Sequence, residues 1–222
     1  MQYPVNEIFQ TIQGEGQWTG VPAIFVRLQG CPVGCPWCDT RHTWELQPEN
    51  AVAQQLIFQT DGQIGRWSKL TAADIIDGFK AQQFTAKHVV ITGGEPCMYD
   101  LRPLTSELHA HGFSSQIETS GTFEVQCANE TWVTVSPKVN MQGKLPVLTT
   151  ALQRANEIKH PVATEHHIEE LEQLLATIDT EGKTICLQPI SQKARATELA
   201  MRVCIERNWR LSVQTHKYLQ ID

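Results

Sequence analysis

The 222-residue sequence predicts an α/β protein, a partial (β/α) barrel of mainly parallel strands. Two observations predict it. Short apolar runs of strand length alternate with segments of helical period, and that alternation needs crossover helices and hence parallel strands. Polar residues also gather where the apolar runs end, at Gln29, Thr92, Glu118, Ser136, Lys138, Gln188 and His216. In parallel α/β folds that edge is where sites are built.

Taken in order, the first strand is read at AIFVRLQG (Ala23–Gly30). TAADIIDGFKAQQF follows with Thr71 as N-cap and Ile75, Ile76 and Phe79 on one helical face. HVVITGG is a strand, and LRPLTSELHAHG is a helix ending at Gly112. SQIETSG and WVTVSPK are strands, and ALQRANEIKHPV runs from helix into strand. IEELEQLLATI places Leu171, Leu174, Leu175 and Ile178 on one side of a helix. TICLQPI is a strand, ARATELAMRVCIERN a helix, and RLSVQTH a last strand ending at His216. Leu46–Leu70 is rich in Gln and carries DG and IG turn signals, so it reads as an insertion or mobile segment. The organisation expected is a single domain over 1–222 with a variable insertion near 46–70.

Composition is that of an ordinary globular chain. The net charge of −6 gives no pull toward nucleic acid or an acidic membrane. The start MQYPVNEIFQ has no basic n-region and no apolar core, so no signal peptide is read there. Seven cysteines, three of them clustered, argue for reduced thiols and a cytoplasmic setting rather than a disulfide framework. Cys97, Cys127, Cys186 and Cys204 are scattered and read as small buried apolar side chains.

The clustered thiols lie in GCPVGCPWCDT, at Cys31, Cys35 and Cys38. A structural zinc takes four ligands, and His42 is a possible fourth. A disulfide leaves one thiol over. A 4Fe–4S cubane held by three thiolates leaves one iron open for a cofactor or substrate. The loop follows a strand, an aromatic precedes its last cysteine, and ITGGEP ends a later strand.

Those features resemble the radical S-adenosylmethionine (SAM) superfamily. With TIQGEG, CDT, IETSG, SPK and the terminal QTHKYL, the chain resembles its 7-carboxy-7-deazaguanine synthase family, from the first residues to nearly the last. That resemblance implies a radical SAM lyase converting 6-carboxy-5,6,7,8-tetrahydropterin to 7-carboxy-7-deazaguanine, with release of ammonia, in queuosine biosynthesis. It implies a 4Fe–4S cluster on Cys31, Cys35 and Cys38, SAM, and Mg2+ on Thr40. SAM is expected against Trp37, Cys38, Asp39, Gly94, Ser136, Pro137, Lys138 and Gln188. The substrate is expected against Ile12, Gln13, Gly14, Glu15, Arg27, Thr92, Glu118 and His216, with Arg27 on the carboxylate. A homodimer and an electron donor such as flavodoxin are implied as partners. Two other readings share the cysteines: a glycyl-radical activating enzyme, and a zinc-stabilised binding module without activity.

Overall fold

The computed structural model describes residues 1–59, 65–190 and 193–221. Its strands are β1 (Gln2–Ile12), β2 (Pro22–Leu28), β3 (Ser68–Thr71), β4 (His88–Gly93), β5 (Ser114–Thr119), β6 (Trp132–Val135), β7 (Glu157–Val162), β8 (Thr184–Pro189) and β9 (Arg210–Leu211). They form one sheet in the order β3-β1-β2-β4-β5-β6-β7-β8-β9. From β2 to β9 every neighbouring pair is parallel, while β1 pairs antiparallel with both β2 and β3. The mainly parallel sheet expected from the alternation is therefore present.

The helices are α1 (Ala72–Ala81), α2 (Arg102–Ala110), α3 (Thr149–Arg154), α4 (Glu165–Leu175), α5 (Ala194–Arg207) and α6 (Thr215–Leu219). The apolar faces of α1 and α2 pack on the β1–β5 half, around Ile75, Phe79, Leu104 and Leu108. Those of α3, α4 and α5 pack on the β6–β8 half, around Leu152, Leu171 and Val203. Val125 and Cys127 touch both clusters, so the apolar layer is continuous along the sheet. Cys97 and Cys204 are buried within these layers, as expected of small apolar side chains, whereas Cys186 is buried outside them beside Glu157 and Cys127 is half-buried.

Three expectations change. Gln2–Ile12 is a strand that the sequence reading passed over. It is buried on both faces along Tyr3–Val5 and carries a bulge between Val5 and Glu7, so no two-residue alternation marks it. The last strand stops at Leu211, and His216 lies instead on α6. Leu46–Leu70 is packed in its described part, although residues 60–64 lie outside the described residues. Ile57 is fully buried there, and β3 adds an edge strand to β1. Phe58 rests where a Cβ on Gly78 would stand, 1.9 Å from its ring, so α1 needs a glycine at that contact. No described helix is long and apolar enough to cross a membrane.

α1 starts as its sequence directs. Thr71 Oγ1 accepts from Asp74 N at 3.2 Å, and the Asp74 carboxylate accepts from Thr71 N at 2.8 Å. Those bonds hold the Asp74 carboxyl below its ordinary range. Thr71→Ala removes the cap and should lower unfolding free energy by about 1 kcal/mol, measured as a shift of the urea midpoint. An unchanged midpoint would show that packing alone starts the helix.

Candidate functional site

The site is built from three layers, and the lowest comes from the loop after β1. That loop enters the sheet's concavity at the N-terminal ends of the parallel strands. Trp18 stacks on His88 at the start of β4, with ring centroids 4.7 Å apart, and meets Trp132 at the start of β6 edge-on at 5.7 Å. Gly16 N donates to Ser212 Oγ at 2.9 Å, and Gln17 N donates to Glu157 Oε2 at 2.9 Å. Thr215 N donates to Gly14 O at 2.9 Å, which joins the chain after β9 back to the chain after β1. This contact draws the open sheet toward a barrel, with the Gln13–Trp18 loop as its floor.

Above the floor sits a buried ionic cluster. Lys159 Nζ, on β7, donates to Glu15 Oε2 at 2.6 Å and to Glu118 Oε2 at 3.0 Å and Oε1 at 3.2 Å. Glu15 Oε1 also accepts from Gln214 Nε2 at 2.8 Å, and Glu118 Oε1 accepts from Gln116 Nε2 at 2.9 Å. Burial works against the Glu15 charge, but Lys159 outweighs it and holds the carboxyl down at about 2. For Glu118 burial wins: with Lys159 opposing and the Glu15 and Glu157 charges adding, its carboxyl is pushed up to about 7. Lys159 stays above the ordinary lysine range, because Glu118 and Glu15 outweigh the cost of its burial.

The rim carries the thiols. Cys31, Cys35 and Cys38 are all free and gather with Val33 and Met141. Backbone bonds shape their loop: Gly30 N to Thr43 O at 2.7 Å, Cys31 N to Trp44 O at 2.9 Å, and Cys38 N to Cys35 O at 3.1 Å. Trp44 Nε1 donates to Cys38 Sγ at 3.4 Å. Gln29 faces this loop rather than the cavity, giving its amide to His42 O at 2.9 Å and Glu45 O at 2.7 Å. Burial pushes the Cys31 thiol up to about 11 and raises Cys35 as well, so their thiolates need a positive partner. An iron cluster would supply that charge. No group of three or more His, Cys, Asp or Glu side chains among the described residues could hold a single metal ion. His42 has Arg27 and Glu7 as its charged neighbours. A four-iron cluster is broader than one ion, and three thiols on one cavity rim suit it.

The GGE turn locks to this loop. Gly94 N donates to Leu28 O at 2.9 Å, and Glu95 N donates to Gly30 O at 2.8 Å. A Cβ on Gly94 would stand 2.1 Å from Gly30 O. Glu95 is 1 % exposed and accepts from Cys97 N at 3.0 Å, Thr119 Oγ1 at 2.6 Å and Ser120 N at 2.8 Å, and also from Ser120 Oγ. It ties the ends of β4 and β5 together. At the end of β6, Lys138 Nζ donates to Ser136 Oγ at 2.6 Å, and burial lowers its affinity for a proton.

Floor, ionic cluster and rim enclose a cavity of about 860 Å³. The expected substrate residues Ile12, Gln13, Gly14, Glu15, Arg27, Thr92, Glu118 and His216 all line it. So do the expected cofactor and metal residues, except Pro137 between Ser136 and Lys138. Arg27 Nε donates to Glu7 Oε1 at 2.6 Å, and its guanidinium lies 5.7 Å from the Phe9 ring centroid. Asp39 meets Lys217 Nζ at 3.4 Å, and Thr40 Oγ1 lies 3.7 Å from Cys38 Sγ. Sequence reasoning missed Lys159, Gln214 and the Phe9–Phe25 stack. A lysine inside the apolar EIKHPV strand was the available signal for the first. For Glu95 it assigned a role only to the motif's glycines.

Known proteins share this chain's sequence and fold. A profile of the radical SAM superfamily matches residues 25–138. The chain is 59 % identical over 222 residues to a 7-carboxy-7-deazaguanine synthase of Escherichia coli, covering 100 % of both chains. It is 48 % identical over 222 residues to one of Buchnera aphidicola, again covering 100 % of both. The crystal structure of QueE from Escherichia coli superposes with a TM-score of 0.94 at 58 % identity, covering 96 % of this chain and 94 % of that one.

The Gly94 contact yields a test. In Gly94→Ala the new methyl group meets a backbone oxygen, so the two rim loops must part, at a cost of roughly 1–3 kcal/mol. Iron bound after anaerobic reconstitution should fall, and the melting temperature with it. Wild-type values of both would show that the rim yields freely.

Proposed function

The chain belongs to the radical SAM superfamily and, within it, to the 7-carboxy-7-deazaguanine synthases, and from that premise we infer how its own residues hold cofactor, metal and substrate. The enzyme is a radical SAM lyase of queuosine biosynthesis, contracting the ring of its carboxylated tetrahydropterin substrate and releasing ammonia. The observation that carries the assignment of residues is one cavity with free thiols at its rim and fixed donors and acceptors at its floor. The 4Fe–4S cluster and SAM, when bound, supply the hydrogen-abstracting radical. The residues here bind, orient and keep water out.

Cys31, Cys35 and Cys38 hold the cluster, and their spacing on one loop supports that role. The SAM site is assigned to Trp37, Cys38, Asp39, Gly94, Ser136, Pro137, Lys138 and Gln188, with the loops bearing Gly94 and Ser136 both tied to neighbouring strand ends. The pterin lies between that layer and the floor. Gln13, Glu15, Glu118 and Thr92, with the backbone of Ile12 and Gly14, read its edges, and His216 stands at the side. Arg27 clamps the carboxylate. Its Nε is committed to Glu7, which leaves the two terminal nitrogens directed as a fork.

Magnesium is assigned to Thr40, whose hydroxyl lines the cavity. One hydroxyl is a poor site alone, so the substrate carboxylate completes it. A homodimer and a donor such as flavodoxin follow the family resemblance, while a cytoplasmic location follows the reduced thiols, and one domain over 1–222 with an insertion near 46–70 follows the organisation of the chain.

Two variants test these roles against a wild type supplied with SAM, reductant and 6-carboxytetrahydropterin. Losing a bidentate charge pair in a dry pocket costs roughly 2–5 kcal/mol, and alignment suffers more than binding. Arg27→Lys should therefore bind the pterin weakly and cleave SAM without matching product, read as the ratio of deoxyadenosine to 7-carboxy-7-deazaguanine. Wild-type affinity and coupling would place Arg27 in the scaffold. Thr40→Ala should lose most of the magnesium stimulation of turnover while SAM binding stays intact, and full stimulation in that variant would remove Thr40 as ligand.

A further inference from the structure

We infer that Lys159 is a positioning residue for the substrate: its buried ammonium holds Glu15 of the floor loop and Glu118 of β5 together, so that Glu118 offers a fixed carboxylate oxygen to the donor-rich edge of the pterin ring. The inference rests on the substrate reading above.

The geometry carries it. Lys159 Nζ lies 2.6 Å from Glu15 and 3.0 Å from Glu118, and its side chain is only 4 % exposed. Its two partners lie 144 and 41 residues away in the chain. Glu15 Oε1 is further occupied by Gln214, and by Gln188 at 3.4 Å. Glu118 Oε1 is occupied by Gln116. Among the described residues Glu118 Oε2 has Lys159 alone, and Glu118 lines the cavity. A carboxylate oxygen accepts more than one hydrogen bond, so Oε2 retains capacity for a ligand N–H. The amino-pyrimidine edge of a pterin is a row of such donors.

A scaffold role alone explains this poorly. A buried ion pair stabilises a fold no better than well-packed apolar residues do, and this one stands at the cavity wall, where apolar packing would not orient a polar ring. The groups facing it are Glu15, Glu118 and Glu157, with Cys186 beside Glu157, and Lys138 and His216 farther out. Against three carboxylates Lys159 leaves a surplus of negative charge, which suits a ligand edge made of N–H groups.

The test compares wild-type, Lys159→Met and Lys159→Arg holoenzymes. Iron content, melting temperature, SAM cleavage without substrate, and the KM for 6-carboxytetrahydropterin are measured across the neutral range. Burial pushes the Glu118 carboxyl up from the ordinary carboxylate range, so wild-type affinity should improve as pH rises through its raised midpoint and level off above it. Without the Lys159 charge, Glu118 keeps its proton to higher pH. Lys159→Met should therefore keep its iron and its basal SAM cleavage, raise KM by roughly 30-fold or more, and move the midpoint of the KM profile upward. Lys159→Arg should restore the midpoint toward wild type. A KM raised evenly at every pH with an unmoved midpoint would overturn the inference, as would a wild-type KM in Lys159→Met. If the Met variant melts early or loses iron, Lys159→Gln carries the same comparison. A wild type that fails to convert the pterin would overturn the substrate reading as well, whereas a competent wild type with an indifferent Lys159→Met overturns the positioning role alone.

Discussion

An ammonium group taken out of water costs several kcal/mol unless carboxylates meet it, and Lys159 is met by two. That condition joins three distant parts of the chain: β7, β5 and the loop after β1. The floor loop is anchored there through Glu15, and from it Trp18 reaches down to close the bottom of the sheet against His88 and Trp132. Around the other side, Gly14 receives the chain that follows β9. The ionic cluster is thus satisfied largely by its own members, although Trp18 Nε1, Trp132 Nε1 and Glu157 Oε1 stay buried below it without a hydrogen-bond partner among the described residues. Only the upward-facing oxygens and amides remain for a ligand.

The rim is held by different means. Beside the small apolar cluster of Val33, Cys35 and Met141, backbone hydrogen bonds and one saturated carboxylate hold its loops. Glu95 gathers donors from its own turn and from the end of β5. Gly94 lets the turn lie against Gly30 without a side chain between them. The cysteine loop and the glycine turn are therefore joined directly through their backbones. A cluster on the first and a cofactor on the second would be held in register with each other, as directed hydrogen transfer requires.

Much of this was readable from local residue patterns. Thr71, Asp74, Ile75, Ile76 and Phe79 declare α1 and its buried face within ten residues. The three cysteines and the glycine turn declare a cofactor rim, because thiolates and close backbone approach have few other uses in that order. The strand ends bearing Thr92, Glu118, Lys138 and Gln188 all reach the cavity. Gln29 shares their position in sequence but turns into the loop, where two carbonyls claim its amide. A strand end thus marks a rim residue without telling which way its side chain turns.

Local pattern could not reveal β1, because a strand covered on both faces loses the alternation that identifies strands. It could not keep His216 off a strand either: after Leu211 the backbone leaves the sheet to bond Gly14, a partner some 200 positions earlier. Nor could it identify Lys159, whose meaning depends on Glu15 and Glu118 arriving from either side. Helix faces, caps and thiol spacing are decided by neighbours a few residues apart, where bond geometry alone sets the distance. The floor and the ionic cluster are decided by long-range approach, and only the curved sheet with its floor loop brings Lys159, Glu15 and Glu118 out of water, with Lys159 2.6 Å from the first carboxylate and 3.0 Å from the second.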